Sequence, residues 1–299
     1  MGFNEDFETK YGFAYDNNKT FFDNVFGHLK DLEDKEIADW GQHFQSSLWE
    51  STIESRKIDD INKFMDFLAK YFKVKKIPSV KFEQMEENYF GGYLNNVITL
   101  NTLHLWDGEE VATTLVHEIS HRVQEELISE VTRVEKGIVG KIADVVVKWG
   151  PKWVPGWISK IAFEKRVFTY IVNPKRLPVE KYRKEFNINQ NNLKYQTYIA
   201  LGIEMNAFNA EVEFARRMFG RMTENQARKF ADFAGENGYG QKKNTKYGQS
   251  VVMERDKKGN CLCFFEEDIK RTFFVENQWG EVVCKHSNYV DMYKQFEIL

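Results

Sequence analysis

The stretch Asp107–Glu126, DGEEVATTLVHEISHRVQEE, constrains this chain more than any other, because it contains His117-Glu118-Ile119-Ser120-His121. Two histidines four apart on a helix stand one turn above each other, so both imidazoles can reach one metal ion from one face. The pattern therefore demands a helix here and a second element close enough to complete a ligand set. Glu118 falls one residue round, beside the open side of such an ion, where it could take a proton from a bound water. Shuffling a chain with six histidines in 299 residues would give about 0.01 copies of this pattern, so chance is a poor explanation.

The flanking residues specify the helix independently. Asp107 suits an N-cap, Glu110 three residues on completes a capping-box-like pair, and Trp106 and Val111 occupy the two staple positions. Glu109 and Glu110 match the positive end of the helix dipole. Val111, Leu115, Ile119 and Val123 form an apolar stripe, whereas Thr114, His117 and His121 fall on another face. The histidines are thus expected to face a cleft or solvent and not the core. The plainer alternative is an exposed helix with two unliganded histidines.

A zinc site of this type takes three protein ligands and leaves a fourth position open. The best source of the third lies downstream, where Tyr198 to Phe219 reads YIALGIEMNAFNAEVEFARRMF and is helical in composition. Within it, Glu204-Met205-Asn206-Ala207-Phe208-Asn209-Ala210-Glu211 resembles the E-A-N-A-F-A-A-E run that follows H-E-x-x-H in the ImmA/IrrE family of metallopeptidases. The broader resemblance is to the gluzincins, zincins with a glutamate as third ligand. It implies a zinc metallopeptidase in which His117, His121 and Glu204 hold Zn2+. It also implies that Glu118 serves as general base and then general acid while a zinc-activated water attacks a peptide bond.

Two features depart from that pattern. The gap from His121 to Glu204 is long, and Phe208 stands where thermolysin-like enzymes carry an aspartate. Glu211, two turns beyond Glu204 on the same face, is either a partner of a ligand or the third ligand itself, and Glu213 is a further candidate. The ordinary role for such glutamates is a solvated helix face. An oxyanion donor is also needed. Tyr195, Tyr198 and His286 are the candidates.

The implied fold is α+β: a mainly helical zincin-like domain with a small sheet beside the H-E-x-x-H helix, plus a C-terminal antiparallel β-hairpin region. Residues 1–75 read as an N-terminal helical region, from Phe21, Phe22, Val25, Phe26 and Leu29 and then Ile61, Phe64, Met65, Phe67 and Leu68 at helical spacing. His28 and His43 lie alone there and suit surface or structural roles. Residues 76–235 read as the catalytic domain. In it Val80 to Glu83 alternates, and Tyr93 to Thr102 is strand-like. In zincins a strand so placed forms the sheet edge over the cleft and takes the substrate chain by strand addition. By that resemblance Ile98 to Asn101, with Ile98 and Asn101 as substrate-binding residues, would line the groove.

Between the two metal helices, residues 136–176 carry nine Lys/Arg against Asp144 and Glu164, with Trp149, Trp153 and Trp157 among them. Such a basic, tryptophan-rich insertion suits packing on the catalytic domain, with its lysines in water, or contact with an anionic membrane or acidic partner. It is also a candidate lid. Residues 236–299 read as β-rich. The polar run QKKNTKYGQS is expected to be a linker or long loop, followed by strands at Ser250–Glu254, Cys261–Phe265, Thr272–Glu276 and Glu281–Lys285. Cys261-x-Cys263 and Cys284-x-His286 could hold a second, structural metal, although strand cysteines are more often apolar filler.

Composition excludes some classes. A net charge of −3 speaks against general nucleic-acid binding. The opening MGFNEDFETKYGF lacks an apolar core, so no secretory signal is expected, and no uncharged apolar run is long enough for a transmembrane helix. Three cysteines give no disulfide framework, which makes the cytoplasm the expected setting. The expected substrate is a protein or peptide. One rival is a SprT-like zincin with His286 as third ligand, disfavoured by the acidity and by the lack of a C-x-x-C ribbon. The other is a non-catalytic zincin-fold protein that binds a membrane or partner through residues 136–176.

Overall fold

The structure, a computed structural model, describes residues 34–135, 202–237, 241–267 and 270–299. The expected helix around Phe21 to Leu29, His28, the basic insertion at 136–176, Tyr195 and Tyr198 lie outside those residues. The fold is α+β, and its contacts divide it into two units that part after Phe219.

The described residues of the first unit begin with three helices: α1 (Asp34–Phe44), α2 (Ser46–Ser51) and α3 (Glu54–Tyr71). On α3, Ile61, Phe64, Met65 and Leu68 recur every three or four residues and are all buried, the helical stripe read from the sequence. They join Ile37, Phe44, Trp49 and the apolar face of the H-E-x-x-H helix in one core. Phe44 and Trp49 stack with ring centroids 5.0 Å apart. Trp49 satisfies its indole N–H by donating to the Leu105 carbonyl at 2.8 Å, which ties α2 to the approach of the H-E-x-x-H helix.

A three-stranded sheet follows, with β1 (Ser79–Glu83), β2 (Gly91–Leu94) and β3 (Val97–Asn101) in the order β1-β3-β2. The strand-like run from Tyr93 to Thr102 is broken in two. Asn95 and Asn96 both adopt left-handed backbone, with φ of 51° and 63°, and so form the two-residue hairpin turn that asparagine favours. This overturns the expected edge. Strand β3 is central, parallel to β1 and antiparallel to β2, and Ile98 and Asn101 are 0% and 1% exposed. Neither can line a groove. Asn101 works within the fold instead. Its amide donates to the carbonyls of Glu86 at 3.0 Å and Tyr89 at 2.6 Å and accepts from the Met85 N–H at 3.0 Å, pinning the loop that leads into β2. The edges belong to β1 and β2.

Helix α4 (Gly108–Glu135) carries the motif. Asp107 caps it, accepting from the Glu110 N–H at 3.2 Å. The reciprocal bond of a capping box is not made, because the Asp107 N–H donates to the His104 carbonyl. Trp106, expected to staple onto Val111, is 63% exposed. Val111, Ala112, Leu115, Val116 and Ile119 are buried in the core. Helix α5 (Gly202–Phe219) packs on both α4 and α1, and Gly41 on α1 lies against the backbone of Met218.

The second unit holds α6 (Glu224–Asn237), strands β4 (Gln241–Thr245), β5 (Gly248–Arg255), β6 (Cys261–Glu267), β7 (Lys270–Glu276) and β8 (Val282–His286), and α7 (Tyr289–Ile298). The strands form an antiparallel meander in chain order. The polar run read as a linker is in fact a hairpin, β4 and the start of β5. It escapes the hydrophobic pattern because β4 is an edge strand, and edge strands are commonly charged. Lys243 on β4 pairs with the buried carboxylate of Glu276. The boundary expected at 235/236 falls at 219/220 because α6 belongs here, where the Glu224 carboxylate accepts from the Tyr289 N–H at 2.8 Å. One sheet face is covered by α7, whose Tyr289, Met292 and Phe296 are buried, with Phe273 and Tyr289 ring centroids 5.6 Å apart.

The cysteines do not assemble a second metal site. Cys261 and Cys263 stand opposite Glu276 and Phe274 on β7, whereas Cys284 and His286 pair with the alternate residues Val275 and Phe273. Alternation sends the two pairs to opposite faces of the sheet. Cys261 and Cys263 are filler beside Val252 and Phe274. Burial pushes the Cys263 thiol up to about 12, which keeps it protonated and a poor ligand.

Candidate metal centre

The site forms where α4 and α5 face each other. At about 100° per residue, His117, His121 and Gln124 point to the side of α4 that α5 covers. Thr114, Glu118 and Glu125 point to the side that β2 touches. The contacts match this wheel. Gly91 of β2 lies so near Thr114 that an added Cβ would sit 2.8 Å from its methyl group, and the Tyr93 hydroxyl donates to the Glu125 carboxylate. Burial, reinforced by Glu125, pushes the Tyr93 hydroxyl up to about 12, so it remains a donor. The two histidines therefore lie on the side of α4 that α5 covers, with Glu118 turned towards β2.

Glu204 lies in the first turn of α5, where the helix dipole favours its negative charge. Its carboxylate spans the two imidazoles: His117 Nε2 lies 3.3 Å from one oxygen and His121 Nε2 3.6 Å from the other. Donors about 2.1 Å from a tetrahedral zinc stand about 3.4 Å apart, so these separations fit one ion among the three side chains. Among the described residues this is the one group of three or more His, Cys, Asp or Glu whose ligand atoms all lie within 4.8 Å of one another. The chemistry of the set, two imidazoles and a carboxylate, also suits zinc.

Glu211 has a different place. One of its oxygens sits 2.9 Å from His117 Nδ1, on the ring edge away from Glu204, the place of a partner that orients an imidazole. Both Glu204 and Glu211 are buried, at 1% and 2% exposed, contrary to the solvated face that helical carboxylates usually occupy. Glu213 points elsewhere, to Arg217 at 2.9 Å. Phe208 is buried at 1% and fills core where an aspartate could have sat. Glu118 is 7% exposed.

The spacing of motifs did not single out Gln124 and Asn206. Gln124 accepts from His121 Nδ1 at 2.9 Å, and it donates to the Ile203 carbonyl and to Asn206 Oδ1, both at 2.9 Å. The sequence signal was slight, a glutamine three residues after the second histidine. Of the expected oxyanion donors, His286 is exposed and belongs to the second unit.

The electrostatics ask for a cation. Burial opposes a charge on His117, but hydrogen bonds to Glu204 and Glu211 and the charges of Glu118 and Glu211 outweigh it and lift its pKa to about 10. A group whose pKa is raised on folding adds stability that is complete below its unfolded value and is lost as pH climbs through the folded value. The metal-free protein is therefore expected to melt at falling temperature between pH 6.5 and about 10. His117→Gln should flatten that slope; melting curves with equal slopes for both proteins would contradict the assignment.

Compared with protein-family models, curated proteins and solved structures, the chain gives no match. Among the described residues, no helix is long and apolar enough to cross a membrane.

Proposed function

We propose that this chain is a zinc-dependent peptidase that hydrolyses a peptide bond with Glu118 as general base. The observation that carries the proposal is the convergence of His117 Nε2 and His121 Nε2 on the Glu204 carboxylate, with Glu118 on the adjacent, β2-facing side of the same helix. His117, His121 and Glu204 would hold the ion. Zinc, when bound, supplies a Lewis acid that brings the pKa of water to about 7 and polarises a carbonyl. Glu118 would take the proton from the attacking water and pass it to the departing amine.

Strand β2 supplies the backbone for a substrate. Among the described residues it pairs with β3 on one side only and packs on α4 beside Glu118, so an extended peptide could add to it as a further strand. Gly91 and Gly92 suit this. Gly92 carries no side chain and has open space where one would be, which lets another chain approach closely. We place the activity in the cytoplasm, in keeping with three cysteines that remain free thiols.

The test is to incubate the full chain with a degenerate mixture of unstructured peptides and read new termini by mass spectrometry. Cleavage that stops on chelation and returns with zinc is expected. Equal cleavage with and without chelator, or none in the zinc-loaded protein, would overturn the proposal.

A further inference from the structure

We infer that Gln124 is a positioning residue for the metal: its side-chain amide fixes the tautomer of His121 and clasps that histidine to the turn of α5 that presents Glu204. The inference rests on the metal reading of His117, His121 and Glu204, and it adds a residue outside the ligand motif.

The hydrogen bonds allow one arrangement only. The Ile203 carbonyl can only accept, so the group 2.9 Å from it must be the Gln124 amide nitrogen. That leaves Gln124 Oε1 facing His121 Nδ1 at 2.9 Å. An amide oxygen can only accept, so Nδ1 carries a proton, and in the neutral imidazole Nε2 therefore keeps its lone pair. That Nε2 is the atom 3.6 Å from Glu204. The chain of bonds thus ends in a backbone carbonyl that cannot reverse its role, and the ligand atom of His121 is set before any ion arrives. Burial makes the arrangement firm, since Gln124 is 0% exposed and no water competes.

Position along α5 gives the second half of the inference. Gln124 binds Ile203 and Asn206, which flank Glu204 in sequence. One amide therefore holds a ligand on α4 and brackets the ligand on α5. The counterpart at His117 is Glu211, a carboxylate. The carboxylates of Glu118, Glu204 and Glu211 already surround the two histidines, and a neutral amide at position 124 orients the second histidine without adding to that charge.

The test uses the full chain, stripped of metal and titrated with zinc against a chromophoric chelator, with thermal melting of the metal-free forms alongside. Gln124→Met keeps the volume and helix propensity but makes neither kind of bond, and it is expected to weaken zinc about 10- to 100-fold. Gln124→Glu restores an acceptor for His121 Nδ1–H while setting a carboxylate against the Ile203 carbonyl. A positioning role predicts that Gln124→Glu binds zinc more tightly than Gln124→Met, although it is the less stable of the two without metal. A packing role predicts that zinc affinity follows stability, with Gln124→Glu the weaker binder, and that result overturns the inference. Zinc affinity of Gln124→Met within twofold of wild type also overturns it. Should Gln124→Met not fold, Asn206→Ala removes one partner of the amide and leaves Gln124 in place; an expected several-fold loss of affinity supports the clasp, and none refutes it. Wild-type protein that binds no zinc removes the metal reading itself, an outcome distinct from either of these.

Discussion

Glu118→Gln is expected to lower kcat for peptide hydrolysis by about 10²- to 10⁴-fold, the usual contribution of a positioned general base, while zinc stays bound. Glutamine has the size and shape of glutamate, so the buried position next to His117 remains filled. What it lacks is the ability to accept a proton from water at neutral pH. Because Glu118 is not among the three side chains whose ligand atoms converge, metal content should not change. KM should move little, since the group acts on the attacking water and does not grip the peptide. Steady-state rates at saturating peptide, with zinc measured on the same samples, check both halves. A fall of less than about tenfold with zinc retained would move the base elsewhere.

Gly41→Ala is expected to destabilise the protein by about 3 kcal/mol or more, at the upper end of what overpacking costs. An added Cβ would meet the carbonyl oxygen of Met218 and lie 2.7 Å and 2.9 Å from its C and Cα. All three are backbone atoms, so no side chain can swing aside. Either α1 or the last turn of α5 must move. Since α5 carries Glu204 at its other end, the shift should also loosen the ligand set and weaken zinc. Denaturant unfolding gives the first effect, and zinc titration of the folded fraction gives the second. Wild-type stability in Gly41→Ala would mean that α1 and α5 can separate freely.

The grouping of His117, His121 and Glu204 was legible in the sequence for a physical reason. His117, Glu118 and His121 lie on one helix, where spacing alone decides which side chains share a face. Glu204 and Glu211 also share a face, but spacing could not say which one meets the metal. That depends on how far α5 has slid along α4, a tertiary fact. The structure settles the relative places of the two glutamates, with Glu204 between the imidazoles and Glu211 behind His117.

Sheet order was illegible for the same reason. Nothing in Val97–Asn101 says whether it is central or at an edge, and the resemblance to zincins put the edge on the wrong strand. Asn95 and Asn96 were the available signal, since two consecutive asparagines mark a tight hairpin. Reading them as a turn would have separated β2 from β3 and put an edge of the sheet at Gly91–Leu94. The β4 hairpin was hidden by its lysines, which protect an edge at the expense of any hydrophobic pattern. Helix α7 was missed in a region read as β-rich, although Asn288 starts it with a side chain that accepts from the Asp291 N–H at 2.9 Å, a cap residue of the usual type.

The central claim is that His117, His121 and Glu204 form one zinc site, and the most direct test is metal content. Zinc per chain should be measured by mass spectrometry on wild type, Glu204→Gln and Glu211→Gln after purification without chelator and exhaustive dialysis. The account predicts one zinc per wild-type chain, none with Glu204→Gln, and with Glu211→Gln a site that still fills but binds about 10- to 100-fold more weakly. A wild-type chain without zinc, or a Glu204→Gln chain that retains a full complement, would contradict it.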